Sequence, residues 1–164
     1  DYATPQQQLT ALEIQLSLAQ KLDLPIVIHE RDSAHELAPI LVNWWQNLPE
    51  STRIKHNPGV MHAYSADLSY VNTLLECGFC FGIGGPVTYK NAAEKQALVA
   101  SLPLQKMLLE TDCPFMPPHP HRGQRNEPAF IPLIAQKIAE IKGLSIEEVG
   151  KQLTNNARRL FRIN

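Results

Sequence analysis

The sequence predicts an α/β fold of the TIM-barrel type, in which parallel strands alternate with helices. Four short apolar segments of strand length start near residues 25, 59, 79 and 107, and segments with helical periodicity separate them. This alternation implies parallel strands joined by right-handed crossovers. The strands recur at intervals close to the roughly 30 residues that one unit of a (β/α)8 barrel occupies, and a compact barrel needs about 200 residues. We therefore expect the 164 residues to form four βα units rather than a closed barrel.

The first helix and the first strand are the most clearly marked elements. Thr4 and Gln7 have the spacing of a capping box, proline follows at the first helical position, and leucines at helical spacing continue to about Leu22. Residues 25–28 form a continuous apolar run rich in branched side chains. Such a run is typical of a strand that is buried on both faces.

The rest of the chain repeats this pattern of strand, short loop and helix. Ser33 and Glu36 have the spacing of a second capping box and are followed by an apolar stripe that ends near Trp44. A proline-dense loop follows the fourth strand, and two helices close the chain. The remaining predicted elements are strands at 59–61, 79–83 and 107–110 and helices at 67–77, 91–102, 128–142 and 145–160.

Composition and charge indicate one globular domain over residues 1–164. Hydrophobic residues make up 44%, and 15 basic against 16 acidic side chains give a net charge of -1, which excludes a disordered or coiled-coil chain. Contact with a polyanion would therefore need a local patch or metal ions. The three cysteines give no disulfide framework, which favours a reducing, cytoplasmic setting. No apolar run approaches the length of a membrane span, so we expect no membrane partner.

Polar side chains follow three of the predicted strands at the point where each strand ends. His29 and His62 come directly after apolar runs, and Asp112 lies two residues beyond Glu110 at the end of the fourth strand. The carboxyl ends of parallel strands form the ligand-binding edge of an α/β fold, and imidazole and carboxylate groups suit a divalent metal. A single histidine of this kind can equally be an ordinary core or loop group. Three such ligands at three strand ends favour a metal site.

Five segments, in order along the chain, resemble signature segments of the TatD family of metal-dependent deoxyribonucleases, which are amidohydrolase-like TIM barrels. The resemblance implies that this chain is about the C-terminal half of such a barrel. It also implies one or two divalent metal ions at the C-terminal mouth and exonucleolytic hydrolysis of DNA phosphodiester bonds, at ends or single strands. The segments are 24–32, 59–65, 82–89, 108–114 and 125–128, and residues 155–161 extend the likeness.

The resemblance assigns roles residue by residue. His29 and His62 match metal-binding histidines of the family. Asp112 matches the aspartate that completes the metal site and orients or deprotonates the attacking water, which makes it the expected catalytic residue. Glu110 matches an acid that holds the metal ligands in place rather than binding the metal. Three further residues match positions that contact the substrate phosphate or support the loop that does: Arg31, Arg125 and Asn126.

Other segments of the family pattern have no match in this sequence. The family's His-x-His pair and its metal-bridging glutamate are absent, and Asp1-Tyr2 resembles the tail of the segment that carries that glutamate. We expect the inward faces of the four strands to lack their opposite layer, so that missing residues or a second copy complete the barrel. Activity is then expected of the complete protein, with DNA as substrate. The alternatives are a hydrolase of a non-nucleic amide or ester and a catalytically silent half-barrel.

Overall fold

The four predicted strands form one parallel sheet. The computed structural model describes residues 3–64 and 68–163. The strands lie in the sheet in the order in which they occur in the chain, and each neighbouring pair is parallel. The predicted α/β class with a parallel sheet is therefore confirmed. The strands are β1 (Ile26–His29), β2 (Gly59–His62), β3 (Cys80–Ile83) and β4 (Met107–Leu109).

Helices connect the strands and close the chain. Within the described residues no helix is both long enough and apolar enough to cross a membrane. Three short 3-10 turns, at Gly85–Thr88, Leu104–Lys106 and Pro128–Phe130, lie in the connections. The α-helices are α1 (Pro5–Leu22), α2 (Ala34–Gln46), α3 (Arg53–His56), α4 (Val71–Glu76), α5 (Ala93–Ser101), α6 (Ile131–Lys142) and α7 (Ile146–Phe161).

The two capping boxes predicted from the sequence have different outcomes. At α1 the box is present, since the Thr4 hydroxyl accepts from Gln7 N and the Gln7 side chain accepts from Thr4 N. At α2 the prediction is wrong, because the Ser33 side chain makes no capping bond and the Ser33 N–H instead donates to Glu30 Oε1 at 2.7 Å. The predicted start of the next helix at Asp67, like the Asp1-Tyr2 segment, lies outside the described residues.

The main core lies between the sheet and the helices. Because side chains alternate along a strand, one face of the sheet carries Ile28, Met61, Phe81 and Met107, and all four are buried in the largest hydrophobic cluster. Helices α2, α4, α5, α6 and α7 contribute apolar side chains to the same cluster. Packing of the helices on this face fixes the positions of the four strands relative to one another.

The opposite face of the sheet carries a second, smaller cluster. Val60, Cys80 and Leu108 lie on it and are buried together with Leu160, which comes from the end of α7. The expectation that all four inward faces lack a covering layer is therefore wrong for three strands, because α7 covers them. Val27, which pairs with Val60 on the same face, is 60% exposed. The prediction that β1 is buried on both faces is also wrong, because Val27 and His29 are exposed on one face and the smaller cluster does not extend to them.

The three cysteines are free thiols. Cys77 and Cys80 are buried, and burial raises the pKa of both thiols above the ordinary value. A raised pKa leaves little thiolate at neutral pH, and the thiolate is the reactive form. The structure therefore gives these two buried cysteines a packing role.

Candidate active site

The polar side chains predicted at the strand ends meet at one edge of the sheet. His29 of β1 and His62 of β2 are register partners, so the two strands end at the same level. Glu110 directly follows β4 and its N–H donates to the Ile83 carbonyl at the end of β3. A cavity of about 410 Å³ opens at this edge, and its wall includes His29, Glu110 and Asp112.

His62 lies between two carboxylates. Its Nδ1 is 3.0 Å from Glu110 Oε2, and its Nε2 is 3.7 Å from Asp112 Oδ1. A carboxylate only accepts hydrogen bonds, so the contact with Glu110 uses a proton on Nδ1, while Nε2 faces Asp112. The separation of 3.7 Å is too long for a hydrogen bond. It is close to the roughly 3 to 4 Å between two donor atoms that each bind one metal ion at about 2.1 Å.

Glu110 is held by both of its oxygens. While Oε2 faces His62, Oε1 accepts the N–H of Ala63 at 2.6 Å. Ala63 has a left-handed backbone conformation, with φ of 46°, which is uncommon for a residue with a side chain. Gly82 provides the space for the carboxylate, because a Cβ at that position would overlap Glu110 Oε2. This anchoring matches the expected role of Glu110 in orienting a metal ligand.

His29 is close to the pair but less fixed. Its ring centroid lies 5.8 Å from that of His62 with the planes tilted by 42°, and its side chain is exposed. Over residues 3–64 and 68–163, no three His, Cys, Asp or Glu side chains form a group able to hold a metal ion. The donors His62 and Asp112, with His29 beside them, therefore fit an ion as part of a larger ligand set, not as a complete site.

The three residues expected near the substrate phosphate lie in different environments. Arg31 lines the cavity, and Arg125 is exposed on the loop after Asp112. Asn126 is only 2% exposed, its Nδ2 donates to the Phe115 carbonyl at 2.7 Å, and its Oδ1 accepts the Glu127 N–H at 2.9 Å. A phosphate contact by Asn126 stays a prediction, although its polar atoms already form bonds within the loop. Support of the loop, the other expected role, matches its contacts.

The loop that follows Asp112 is fastened to the 3-10 turn after β3. The His119 N–H donates to Thr88 Oγ1 at 2.8 Å, and the Tyr89 hydroxyl donates to the Pro117 carbonyl at 2.9 Å. The Arg122 guanidinium lies 4.6 Å from the centroid of the Tyr89 ring, a cation–π contact. These contacts fix one rim of the cavity.

Lys95 is a cation in the cavity wall that the sequence analysis did not identify. It precedes Leu98 and Val99 by three and four residues, and both of those side chains are buried. Lys95 occupies a position of the helical pattern where the other side chains are apolar and buried. A charged residue at such a position is the signal that could have identified it from the sequence.

Comparisons with known proteins agree with the resemblance of the strand-end segments. The family model described as TatD related DNase matches residues 1–162. The chain is 39% identical over 150 residues to the uncharacterized metal-dependent hydrolase YabD of Bacillus subtilis, covering 92% of this chain and 56% of that protein. It is 34% identical over 164 residues to the 3'-5' ssDNA/RNA exonuclease TatD of Erwinia billingiae, covering 97% of this chain and 60% of that protein.

The structural comparison gives the same result. The crystal structure of YjjV, a TatD homolog from Escherichia coli, superposes with a TM-score of 0.84 at 31% sequence identity, over 100% of this chain and 61% of that chain. The chain therefore spans somewhat more than half the length of these relatives. Family model, sequence relatives and superposed fold agree, and the chain belongs to the family of TatD-related DNases.

Proposed function

We propose that the protein containing this chain is a metal-dependent phosphodiesterase that shortens single-stranded DNA from an end. The observation that carries the proposal is the position of His62, with Nδ1 on Glu110 and Nε2 facing Asp112 at 3.7 Å. An imidazole oriented by a carboxylate on one side and free to bind on the other is typical of a metal-binding histidine. The Erwinia relative is named as a 3'-5' exonuclease for single-stranded DNA and RNA, which supports the choice of substrate.

The proposed mechanism assigns a task to each side chain at the strand ends. His62 and Asp112 would hold a divalent metal, with His29 as a neighbouring ligand. A bound metal would polarise a phosphoryl oxygen of the substrate and would lower the pKa of a water molecule. Glu110 keeps the Nε2 lone pair of His62 aimed at the site, and Asp112 orients the attacking water and accepts its proton. Arg31 offers a cation to the phosphate from the cavity wall.

We also propose that the four βα units are about half of a TIM barrel. The consecutive order of four parallel strands and the coverage of 61% of the YjjV chain support this arrangement. The partial metal ligand set described above agrees with it, because the remaining ligands would come from the other strands. On this proposal, the substrate is bound by the assembled barrel.

A second candidate is hydrolysis of a non-nucleic amide or ester, since the same barrel supports many reactions. An apolar part of the cavity wall suits such a substrate. It is formed by Ile83, Val87, Leu98 and Val99. A catalytically silent half-barrel is the third candidate. Release of nucleotides from DNA would favour the nuclease over the amide or ester hydrolase. Tight stoichiometric binding of metal would favour either enzyme over the silent half-barrel.

The test is an end-labelled single-stranded oligonucleotide incubated with this chain, and with any longer protein that contains it, in the presence of Mg²⁺, Mn²⁺ or Zn²⁺. We expect the longer protein to shorten the oligonucleotide from one end until EDTA is added, and this chain alone, with its partial ligand set, to be much slower. Asp112→Asn is nearly isosteric and should preserve the thermal unfolding temperature while lowering the rate at least about a hundredfold. Cleavage at the wild-type rate by this variant would remove Asp112 from the mechanism. Arg53→Gln, at an exposed position on α3, is the matched control.

A further inference from the structure

Lys95 lies on the cavity wall, and the proposed mechanism gives it no role. It is in the first turn of α5, and its spacing of three and four residues from Leu98 and Val99 places the three side chains on one face of the helix. Leu98 and Val99 are each 1% exposed, whereas Lys95 is half-buried and lines the cavity with Glu110 and Asp112. Its charged end is thus drawn away from bulk water toward the strand ends.

The ammonium of Lys95 has few partners compared with other lysines in similar positions. Its Nζ reaches the Tyr64 carbonyl at 3.5 Å, the outer limit of a hydrogen bond. The ion pairs found among residues 3–64 and 68–163 do not include it. The partly buried Lys55, Lys106 and Lys142 donate to backbone carbonyls at 3.1, 2.8 and 2.7 Å. The hydrogen bond of Lys95 is thus the longest of the four and leaves its ammonium more weakly bound.

The surroundings of Lys95 combine desolvation with negative charge. Burial lowers its pKa, while the nearby carboxylates of Glu110 and Glu94 raise it. An ammonium carries three donors, and a buried donor without a good acceptor is costly. Buried polar groups that stay incompletely bonded in a cleft are typical of sites where a ligand supplies the missing acceptor.

We infer that Lys95 binds a non-bridging oxygen of the substrate phosphate and thereby determines specificity for phosphate-bearing substrates. The inference rests on the proposed function, because it places the phosphate beside His62 and Asp112. The carboxylates of Glu110 and Asp112 in the cavity wall repel an anion, so a phosphate needs nearby positive charge to enter. A lysine ammonium on a flexible stem can follow the phosphate as the anion moves, which the planar fork of an arginine does less well.

The test compares the binding of inorganic phosphate to the wild-type chain and to four variants by NMR titration, in parallel with oligonucleotide binding and cleavage. Lys95→Met keeps an apolar stem and removes the charge. Lys95→Gln removes the charge but keeps a donor for the Tyr64 carbonyl. This variant therefore replaces Lys95→Met in the comparison if the Met variant unfolds. Lys95→Arg restores the charge, and Lys90→Met, an exposed lysine outside the cavity wall, is the matched control.

We expect the Kd for phosphate to rise about tenfold to a hundredfold in Lys95→Met and Lys95→Gln, as for loss of one hydrogen bond to a charged group. Lys95→Arg and Lys90→Met should stay within about threefold of wild type. Wild-type affinity in both uncharged variants, or no phosphate binding by the wild-type chain, overturns the inference. Phosphate binding that depends on Lys95, in a longer protein that contains this chain but neither binds nor cuts oligonucleotides, supports the inference and overturns the nuclease proposal instead.

Discussion

Gly82 shows how the absence of a side chain shapes the candidate site. A Cβ at this position would overlap Glu110 Oε2. The carboxylate can therefore lie against β3 and reach both His62 Nδ1 at 3.0 Å and the Ala63 N–H at 2.6 Å. A position without a side chain thus controls how the imidazole of His62 is oriented.

We predict that Gly82→Ala displaces Glu110 and leaves His62 without its orienting carboxylate. The free energy of unfolding, measured by urea denaturation, should fall by about 1 to 3 kcal/mol, because a buried carboxylate loses its partners and the strand is overpacked. Gly150→Ala in α7 is the control, since an added Cβ there meets nothing within 4 Å, and it should raise the stability by about 0.5 to 1 kcal/mol. Equal stability of Gly82→Ala and wild type would contradict the proposed anchoring.

Individual site residues differ in how far the sequence could identify them. His29, His62 and Asp112 were predicted because strand ends in a parallel sheet converge, and they do lie at one edge. The tilt between the two histidine rings could not be predicted, because it depends on side-chain rotamers. Asn126 was assigned to the phosphate, but its burial depends on how a long loop folds, and no periodic pattern describes such a loop.

At the scale of elements, the loop after Asp112 depends on Asn126. The side chain of Asn126 joins the Phe115 carbonyl to the Glu127 N–H, and the Asn126 N–H donates to the Pro114 carbonyl at 3.0 Å. The two ends of the loop are thereby tied together. This closure keeps Asp112 at a fixed distance from the rim formed by the 3-10 turn.

We predict that Asn126→Ala loosens this loop. The Phe115 carbonyl and the Glu127 N–H would each lose a partner, which should cost about 1 to 3 kcal/mol. Hydrogen exchange followed by mass spectrometry should show faster exchange over residues 113–127 while the strands stay protected. Asn155→Ala, at an exposed position in α7, should leave the exchange of this loop unchanged. Unchanged loop exchange in Asn126→Ala would show that other contacts close the loop.

The start of α7 gives a pH-dependent prediction. The Ser145 hydroxyl accepts from the Glu148 N–H, and the Glu148 carboxylate accepts from the Ser145 N–H and hydroxyl, which lowers the pKa of Glu148. A lowered pKa in the folded state means that this contribution is present above the ordinary value of 4.5 and is lost as the pH falls through the folded pKa. Ser145→Ala should cost about 1 kcal/mol at pH 7, and its difference from wild type in thermal unfolding should shrink as the pH falls below 4.5. A difference that is constant down to pH 3 would contradict the reciprocal cap.

The outcome at the helix starts shows where local sequence patterns are sufficient. Thr4 lies on an exposed helix end where nothing competes for its hydrogen bonds, so the pattern predicts the cap correctly. Ser33 has the same spacing to Glu36, but the preceding carboxylate of Glu30 takes the Ser33 N–H. A capping-box pattern describes four residues only. It cannot predict a contact with a residue before those four, such as Glu30. The strand positions were predicted well because their apolar runs pack on a common core.

For the whole molecule, the main consequence of the fold is an uncovered apolar side. β1 is an edge strand whose Val27 side chain is 60% exposed, and α1 presents Ile14 and Leu18, at 59% and 45% exposed, four residues apart on one face. Three of the four strands are already covered by α7 on the inward side. Among the strands of the described residues, β1 alone carries a large exposed apolar side chain. An unpaired strand edge beside apolar side chains is typical of an association surface.

We predict that the isolated 164-residue chain folds cooperatively and self-associates through this α1 and β1 side. Covering these three apolar side chains on each copy removes apolar surface from water and favours association, and the free edge of β1 offers backbone groups for pairing with a second copy. In sedimentation velocity the wild-type coefficient should rise with concentration, and a variant with Ile14→Gln, Leu18→Gln and Val27→Thr should remain a monomer. Leu144→Gln, at an exposed apolar position between α6 and α7, controls for general loss of surface hydrophobicity. A wild-type monomer that melts cooperatively at all concentrations would show that the exposed side needs no covering layer, and would count against the half-barrel proposal.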